Sequence, residues 1–288
     1  MSYAQRNLEV IFKAGNGPVG NDGSQPPVSI SGLRMSASIE VTGSPSMNKA
    51  ALRIYGMTQE LMNQFSRAGV LPIAQRNNSI TVNAGDADNM SLVYSGILGQ
   101  AYQDYQAAPD VSFNVFAWTN LFQGLQPVPP TSYTGPTDVA TAMGKLAAQM
   151  DYDFEPNGVN VKVQSPYLFG TARQQMLQLA YAANIFAFIE NEKTLVLLDK
   201  FTARDGNAVP IKVGTGMVGY PKVTQQGWFS VRTIFDPSIV FLGRVIVTSS
   251  NPTLCGTFRV RALRHSLESQ MPNGAWFTDI DYSVFGLV

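Results

Sequence analysis

Charge is what this sequence has least of. Only 14% of its 288 residues are Asp, Glu, Lys or Arg, against about 25% in an average soluble domain. Twenty basic and twenty acidic residues cancel, which excludes the broad positive footprint of a protein that wraps duplex DNA or coats an anionic membrane. The one cysteine, Cys255, rules out an intramolecular disulfide and a cysteine-based zinc site. The one histidine, His265, leaves little for metal or acid–base chemistry. There is no run of about 18 apolar residues, and the opening MSYAQRNLEV lacks the charged and apolar regions of a signal peptide. The expectation is a chain without a membrane anchor, made and assembled in the cytoplasm.

Amides and hydroxyls take the place of charge. Gln, Asn, Ser and Thr fill 76 of the 288 positions. Such a surface can be covered by other subunits cheaply, because burying a hydrogen-bonded amide costs far less than burying an unpaired charge.

Hydrophobic periodicity divides the chain into three parts. Leu8, Val10 and Phe12 alternate with polar residues, as do Ala50, Leu52 and Ile54, the period of half-buried strands. Val28–Thr42 alternates twice with a change of phase, so a β-bulge near Ser31–Gly32 or two strands is expected there. Thr58–Arg67 reads as a short helix with Leu61, Met62 and Phe65 on one face. Strand patterns then resume at Ser79–Ala84, Ser91–Tyr105 and Asp110–Trp118. Four prolines between Gln126 and Pro136 mark a semi-rigid linker. Beyond it the spacing predicts helices over Val139–Met150 and Gly170–Asn184, the second with a capping box at Thr171 and Gln174, and strands at Val159–Val163, Ile185–Glu190 and Leu195–Asp199. Long β runs return at Lys222–Phe235, Phe241–Ser249, Gly256–Glu268 and Trp276–Phe285, with a second bulge expected near Ala262. The fold class is mainly β with an α+β insertion, divided as residues 1–118, 119–205 and 206–288.

Candidate chemistry is sparse. AGDADN (84–89) spaces Asp86 and Asp88 like the start of a calcium loop but lacks the later carboxylates, and Asp and Asn suit a tight turn. Gly214–Thr215–Gly216 lacks the GK[ST] of a phosphate loop. His265 and Cys255 have no partner that would activate them. Neither catalytic nor metal nor cofactor residues are expected. One charge feature stands out: Lys222, Arg232, Arg244, Arg259, Arg261 and Arg264 share their 43-residue stretch with a single acid, Asp236. These six read either as outward residues on solvated strands or as a basic surface facing an acidic partner or DNA.

The order of segments carries a resemblance. RIYGMTQELMNQFSRAG (53–69), ITVNAGDADNMSLVYSGIL (80–98), APDVSFNVFA (108–117), DVATAMGKLAAQM (138–150), GTARQQMLQLAYAANI (170–185), VGYP (218–221) and LRHSLESQMPNGAWFT (263–278) together resemble baseplate hub proteins of contractile-tailed bacteriophages over nearly the whole chain. The resemblance implies two tail-tube-like β-barrel domains flanking the small α/β domain. It also implies a homotrimer whose six barrels match the sixfold tail tube on one side and the threefold spike on the other. Expected partners are a second and third copy, the spike, the tube or its initiator, baseplate wedge proteins and DNA passing through a lumen. The expected location is the virion baseplate and the expected role is structural. A tailocin or related injection-machine hub is the nearest alternative, and a tail-tip cell-wall hydrolase is the alternative of another class. The two β blocks share no residue identity that reveals a duplication.

Overall fold

The computed structural model describes residues 6–13, 16–17, 21–22, 26–66, 78–86, 89–125, 127–224 and 227–284. Asp88 of AGDADN, Arg67 and Phe285 lie outside them. The first block holds β1 (Asn7–Lys13), β2 (Asn16–Gly17), β3 (Asn21–Asp22), β4 (Val28–Ser31), β5 (Met35–Val41), β6 (Lys49–Tyr55), helix α1 (Gln59–Ser66), β7 (Ser79–Gly85), β8 (Met90–Asp104) and β9 (Ser112–Trp118). The phase change in Val28–Thr42 is a break between two strands, with Gly32 at φ +71° where a side chain would be strained. Thr58 starts α1, its hydroxyl accepting from the Leu61 N–H at 3.4 Å. Met62 and Phe65 turn inward, and Phe65 stacks on Phe12 at 4.6 Å between ring centres.

The middle of the chain forms β10 (Thr131–Ser132), β11 (Pro136–Asp138), α2 (Val139–Gln149), β12 (Asp153–Glu155), β13 (Lys162–Gln164), β14 (Tyr167–Leu168), α3 (Ala172–Ala183), β15 (Ile185–Glu190) and β16 (Thr194–Asp199). Asp138 caps α2 by accepting from the Thr141 N–H at 2.7 Å. The capping box of α3 is present with both bonds, and Asn184 ends that helix at φ +54°. The proline-rich segment is not a free tether. It contributes β10 and β11, which pair with β14 and β13, and lays Val128 and Tyr133 on the helical core. Proline is tolerated because these are two- and three-residue edge ladders. Strands β15 and β16 are buried on both faces: Ile185, Ala187, Ile189, Leu195 and Leu197 meet the helices, whereas Phe188, Val196 and Leu198 enter the core of the last block. Each of these side chains other than Ala187 contributes roughly 1.5–3 kcal/mol of burial.

The last block holds β17 (Val209–Ile211), β18 (Met217–Val223), β19 (Phe229–Ile234), β20 (Arg244–Val247), β21 (Gly256–Ser269) and β22 (Trp276–Ser283). The run Lys222–Phe235 is thus interrupted by a turn. Phe241–Ser249 shortens to β20, because Leu242 at φ +60° breaks the extended chain. The bulge expected near Ala262 is present: β21 slips by one residue against β22 between Val260 and Ala262.

The two β blocks are one sheet. Thirteen strands join in the order β18-β19-β22-β21-β5-β6-β9-β8-β7-β1-β4, with β20 on β21 and β17 on β20. The seam is an antiparallel ladder from Leu263–Val41 to Ser269–Met35. Among the described residues no ladder closes either block into a barrel. The first block instead curls round its own core, which Leu267 and Trp276 complete from the last block.

Candidate functional site

Eight consecutive strands of the sheet, counted from β18, repeat a four-strand unit. One unit is β18-β19-β22-β21 and the next is β5-β6-β9-β8, each built as a hairpin whose second strand pairs with the last of a later hairpin. In both units the long strand carries a one-residue bulge opposite the strand that follows it, between Val260 and Ala262 on β21 and between Leu98 and Gln100 on β8. Matching Arg261 to Gly99 places Asp279 on Asn114 and Arg232 on Arg53. The matched pairs bond alike. Arg232 grips Asp279 with two 2.8 Å bonds, and Arg53 Nε donates to Asn114 Oδ1 at 3.0 Å. Met35 and Met217 also coincide. The duplication that residue identity hides is visible in register.

On the face opposite the cores, strand alternation lines up a row of charges. Arg232, Asp279, Arg264, Glu40 and Lys49 stand directly opposite one another on five consecutive strands, alternating in sign across the seam. Lys49 pairs with Glu40 at 3.0 Å and Arg264 with the neighbouring Asp281 at 2.8 Å. The hydrogen bonds that Arg232 donates to Asp279 hold its guanidinium above its ordinary pKa. Small polar residues, Ser36, Ser38 and Ser266, pave the same face beside Arg53 and Glu268, forming a trough of about 350 Å³.

The six basic residues therefore do not form one patch. Lys222, Arg232 and Arg264 lie on strands of the repeated sheet. Arg244 is exposed on β20 and donates to the Gly206 carbonyl at 2.7 Å. Arg261 is half-buried at the bulge, 5.2 Å from the Trp228 ring. Arg259 is fully buried, which corrects the expectation that alternation would send it outward. It bonds the Lys200 and Thr202 carbonyls at 2.6 and 2.7 Å and lies 5.3 Å from the Phe186 ring. Burial and the neighbouring Arg261 lower its pKa to about 10. The reading by sequence window missed the acids that answer these cations, Asp279, Asp281 and Glu40, because they come from other segments. Cross-strand register, not composition, was the signal that could have found them.

Where the cores of the first and last blocks meet, a cavity of about 80 Å³ is lined by Val41, Tyr94, Phe188, Phe241, Glu190 and His265, among others. That is well below the few hundred Å³ of a substrate pocket. His265 bonds Thr278 Oγ1 through Nδ1 at 2.9 Å and meets Phe235 edge-on; burial lowers its pKa to about 4, so it is neutral at pH 7. Arg204 joins Glu155 and Glu190 through four bonds of 2.6–3.0 Å. Glu192 is held by the Asn120 N–H and by Tyr152 Oη at 2.5 Å, with its carboxyl pKa pushed up by burial. Asp86 serves a turn, accepting from the Asn89 N–H at 2.9 Å. Cys255 caps a turn beside Ser249 and Asn251. Among the described residues no three His, Cys, Asp or Glu side chains gather as metal ligands.

Comparison with solved structures identifies the fold as that of phage tail proteins. A tail protein from Neisseria meningitidis MC58 matches with a TM-score of 0.63 at 12% identity over 96% of each chain. The 43 kDa tail protein of prophage MuSo2 from Shewanella oneidensis matches at 0.64 and 9%, again over 96% of each. The E. coli c3393 protein, a type VI secretion component described as similar to the T4 tail proteins gp27 and gp5, matches at 0.58 and 7%, over 88% of this chain and 74% of that one. No curated protein matches the sequence. The family model described as baseplate hub gp41 matches residues 8–276, and the chain belongs to that family. It is a structural component of the phage tail baseplate.

Proposed function

We propose that the chain forms a homotrimeric hub ring, with the repeated eight-strand sheet of each copy facing a central lumen. The observation that carries this reading is the four-strand repeat within one sheet: a trimer of two-unit chains presents six similar units in a ring. Such a ring meets a sixfold tail tube through its pseudo-equivalent units and a threefold spike through its true symmetry. The face opposite the cores suits a lumen for DNA, because its charges alternate in sign and a polyanion meets no net positive trap there. Lys222, Arg232 and Arg264 belong to this face, while Arg244 lies on β20, Arg261 sits at the bulge of β21, and Arg259 points from β21 to the α/β unit. Residues 1–118, 119–205 and 206–288 are the proposed domains, and tube initiator, spike and wedge proteins the proposed neighbours. The role is non-enzymatic.

Light scattering on the pure chain, and on the chain co-expressed with its spike, tests the ring. A species of three times 31.3 kDa is expected in at least one case; a strict monomer in both overturns the reading.

A further inference from the structure

We propose that Arg259 and Arg261 form an enclosed site for a small phosphate-class oxyanion, which bridges β21 to the turn that leaves β16. The site goes beyond the ring reading and does not depend on it.

Two anchors fix the Arg259 guanidinium. Its Nη1 donates to the Lys200 and Thr202 carbonyls, and the Phe186 ring lies 5.3 Å from its central carbon. Those contacts take one end and one face. The remaining edge, made of Nε and Nη2, is buried and bonds nothing. That edge carries two parallel N–H groups at the spacing of two oxygens of one phosphate or carboxylate. Arg261, two residues along the strand, also has its Nη1 buried and unbonded. A guanidinium has no acceptor and keeps its charge, and no exchange of atom names can satisfy it as it can an amide. These donors therefore require an acceptor.

The chain's own acids do not supply one. Asp199 acts on Arg259 through its charge, yet its carboxylate accepts from the Phe201 N–H at 2.7 Å. Asp281 stands opposite Ala262, the residue after Arg261, and is bonded to Arg264 at 2.8 Å. Its second oxygen is buried without a partner and makes no bond to Arg261. A third cation, Arg244, faces Arg259 across the β20–β21 ladder. Burial, and then repulsion from Arg261, lower the basicity of Arg259. An anion held by both arginines opposes each effect. Water accepts the N–H bonds but brings no charge to set against enclosed cations.

The donors also select the anion. Two in-plane N–H groups from Arg259 and another from Arg261 suit a tetrahedral ion, which has more than two oxygens to offer. Arg259 is 0% exposed, so the phosphates of a long polymer cannot reach it. The ion is a free one, enclosed when the turn at residues 200–202 closes over β21.

Two readouts on the full chain test the site, with inorganic phosphate as the probe. In the first, the thermal midpoint is followed at pH 7 as phosphate replaces chloride at constant ionic strength. A saturable rise is expected, about 5 °C at a hundredfold excess over the dissociation constant. Arg261→Gln, which leaves the anchors of Arg259 in place, should lose it. Phosphate also stabilises proteins by exclusion from their surface, and that unsaturable part should be equal in both chains. The second readout is the phosphate released when the desalted chain is denatured, expected near one per chain and near zero for Arg261→Gln. An exchanging ion shows in the first readout and a trapped ion in the second; either one, lost in the variant, supports the site. Equal behaviour of the two chains in both readouts means an adventitious ion only and overturns it.

Discussion

Arg259 is a cation with no carboxylate in contact, sealed between the last β block and the turn that leaves β16. Its partners are two part-buried carbonyls and an aromatic ring, so it acts as a pin between β21 and the turn after β16. Charge-assisted bonds of this kind contribute about 1.5–3 kcal/mol each. Arg259→Ala is expected to lower unfolding free energy by about 3 kcal/mol in urea titration, with Arg259→Lys recovering less than half because an ammonium lacks the planar fork. A loss below about 0.5 kcal/mol for the alanine variant would show the residue to be passive. His265 gives the opposite case, a base kept uncharged. Its pKa falls from 6.5 to about 4 on folding, so between those values the unfolded chain binds the proton that the native chain refuses. The sign follows: this contribution is intact above pH 6.5 and fades as pH falls toward 4, by about 3 kcal/mol in all. Glu190, which also lines the cavity, is already committed to Arg204. In His265→Gln the slope of stability against pH between 6.5 and 4 should flatten by up to one proton; an unchanged slope would assign acid sensitivity to the carboxylates.

Among the elements, the two long strands depend on their bulges. The bulge in β8 puts Gly99 against Trp118, where an added Cβ would lie 2.1 Å from the ring. Gly99→Ala must displace that ring, and a destabilisation of about 1–3 kcal/mol is expected by thermal melting. A melting point unchanged within error would mean that the indole moves freely. The structure also explains which elements were legible in advance. Strands such as β1 and β6, with one face in a core and one exposed, alternate cleanly. Helix α3 announced itself through Thr171 and Gln174. The phase slip at Ala262 was readable because a bulge moves every later side chain to the other face. Strand β12 was missed because three residues in parallel pairing show no period. The seam between β5 and β21, more than 200 residues apart, was invisible because alternation says which face a strand buries but not which strand lies beside it. The same blindness produced the apparent basic stretch, whose acids belong to β5 and β22.

At the scale of the whole molecule, the shortage of charge has a structural counterpart. The repeated sheet answers Lys49, Arg232 and Arg264 with acids on adjacent strands and is paved between them with serines, a surface cheap to cover on assembly. The same sheet ties together parts that the sequence divides. Trp276 belongs to β22 but packs in the first block's core, 6% exposed, with Phe235 edge-on at 5.7 Å and Arg6 at 5.9 Å. Phe188, Val196 and Leu198 tie the α/β unit to the last block in the same way. Neither β block can then melt alone without exposing apolar surface of another. Calorimetry at fixed chain concentration should give one transition, with van't Hoff and calorimetric enthalpies agreeing for the cooperative unit. Trp276→Ala should move that whole transition down, at a cost of about 3–5 kcal/mol. Independent blocks would behave otherwise: the variant would split the trace, the first block melting early while the rest kept its original midpoint.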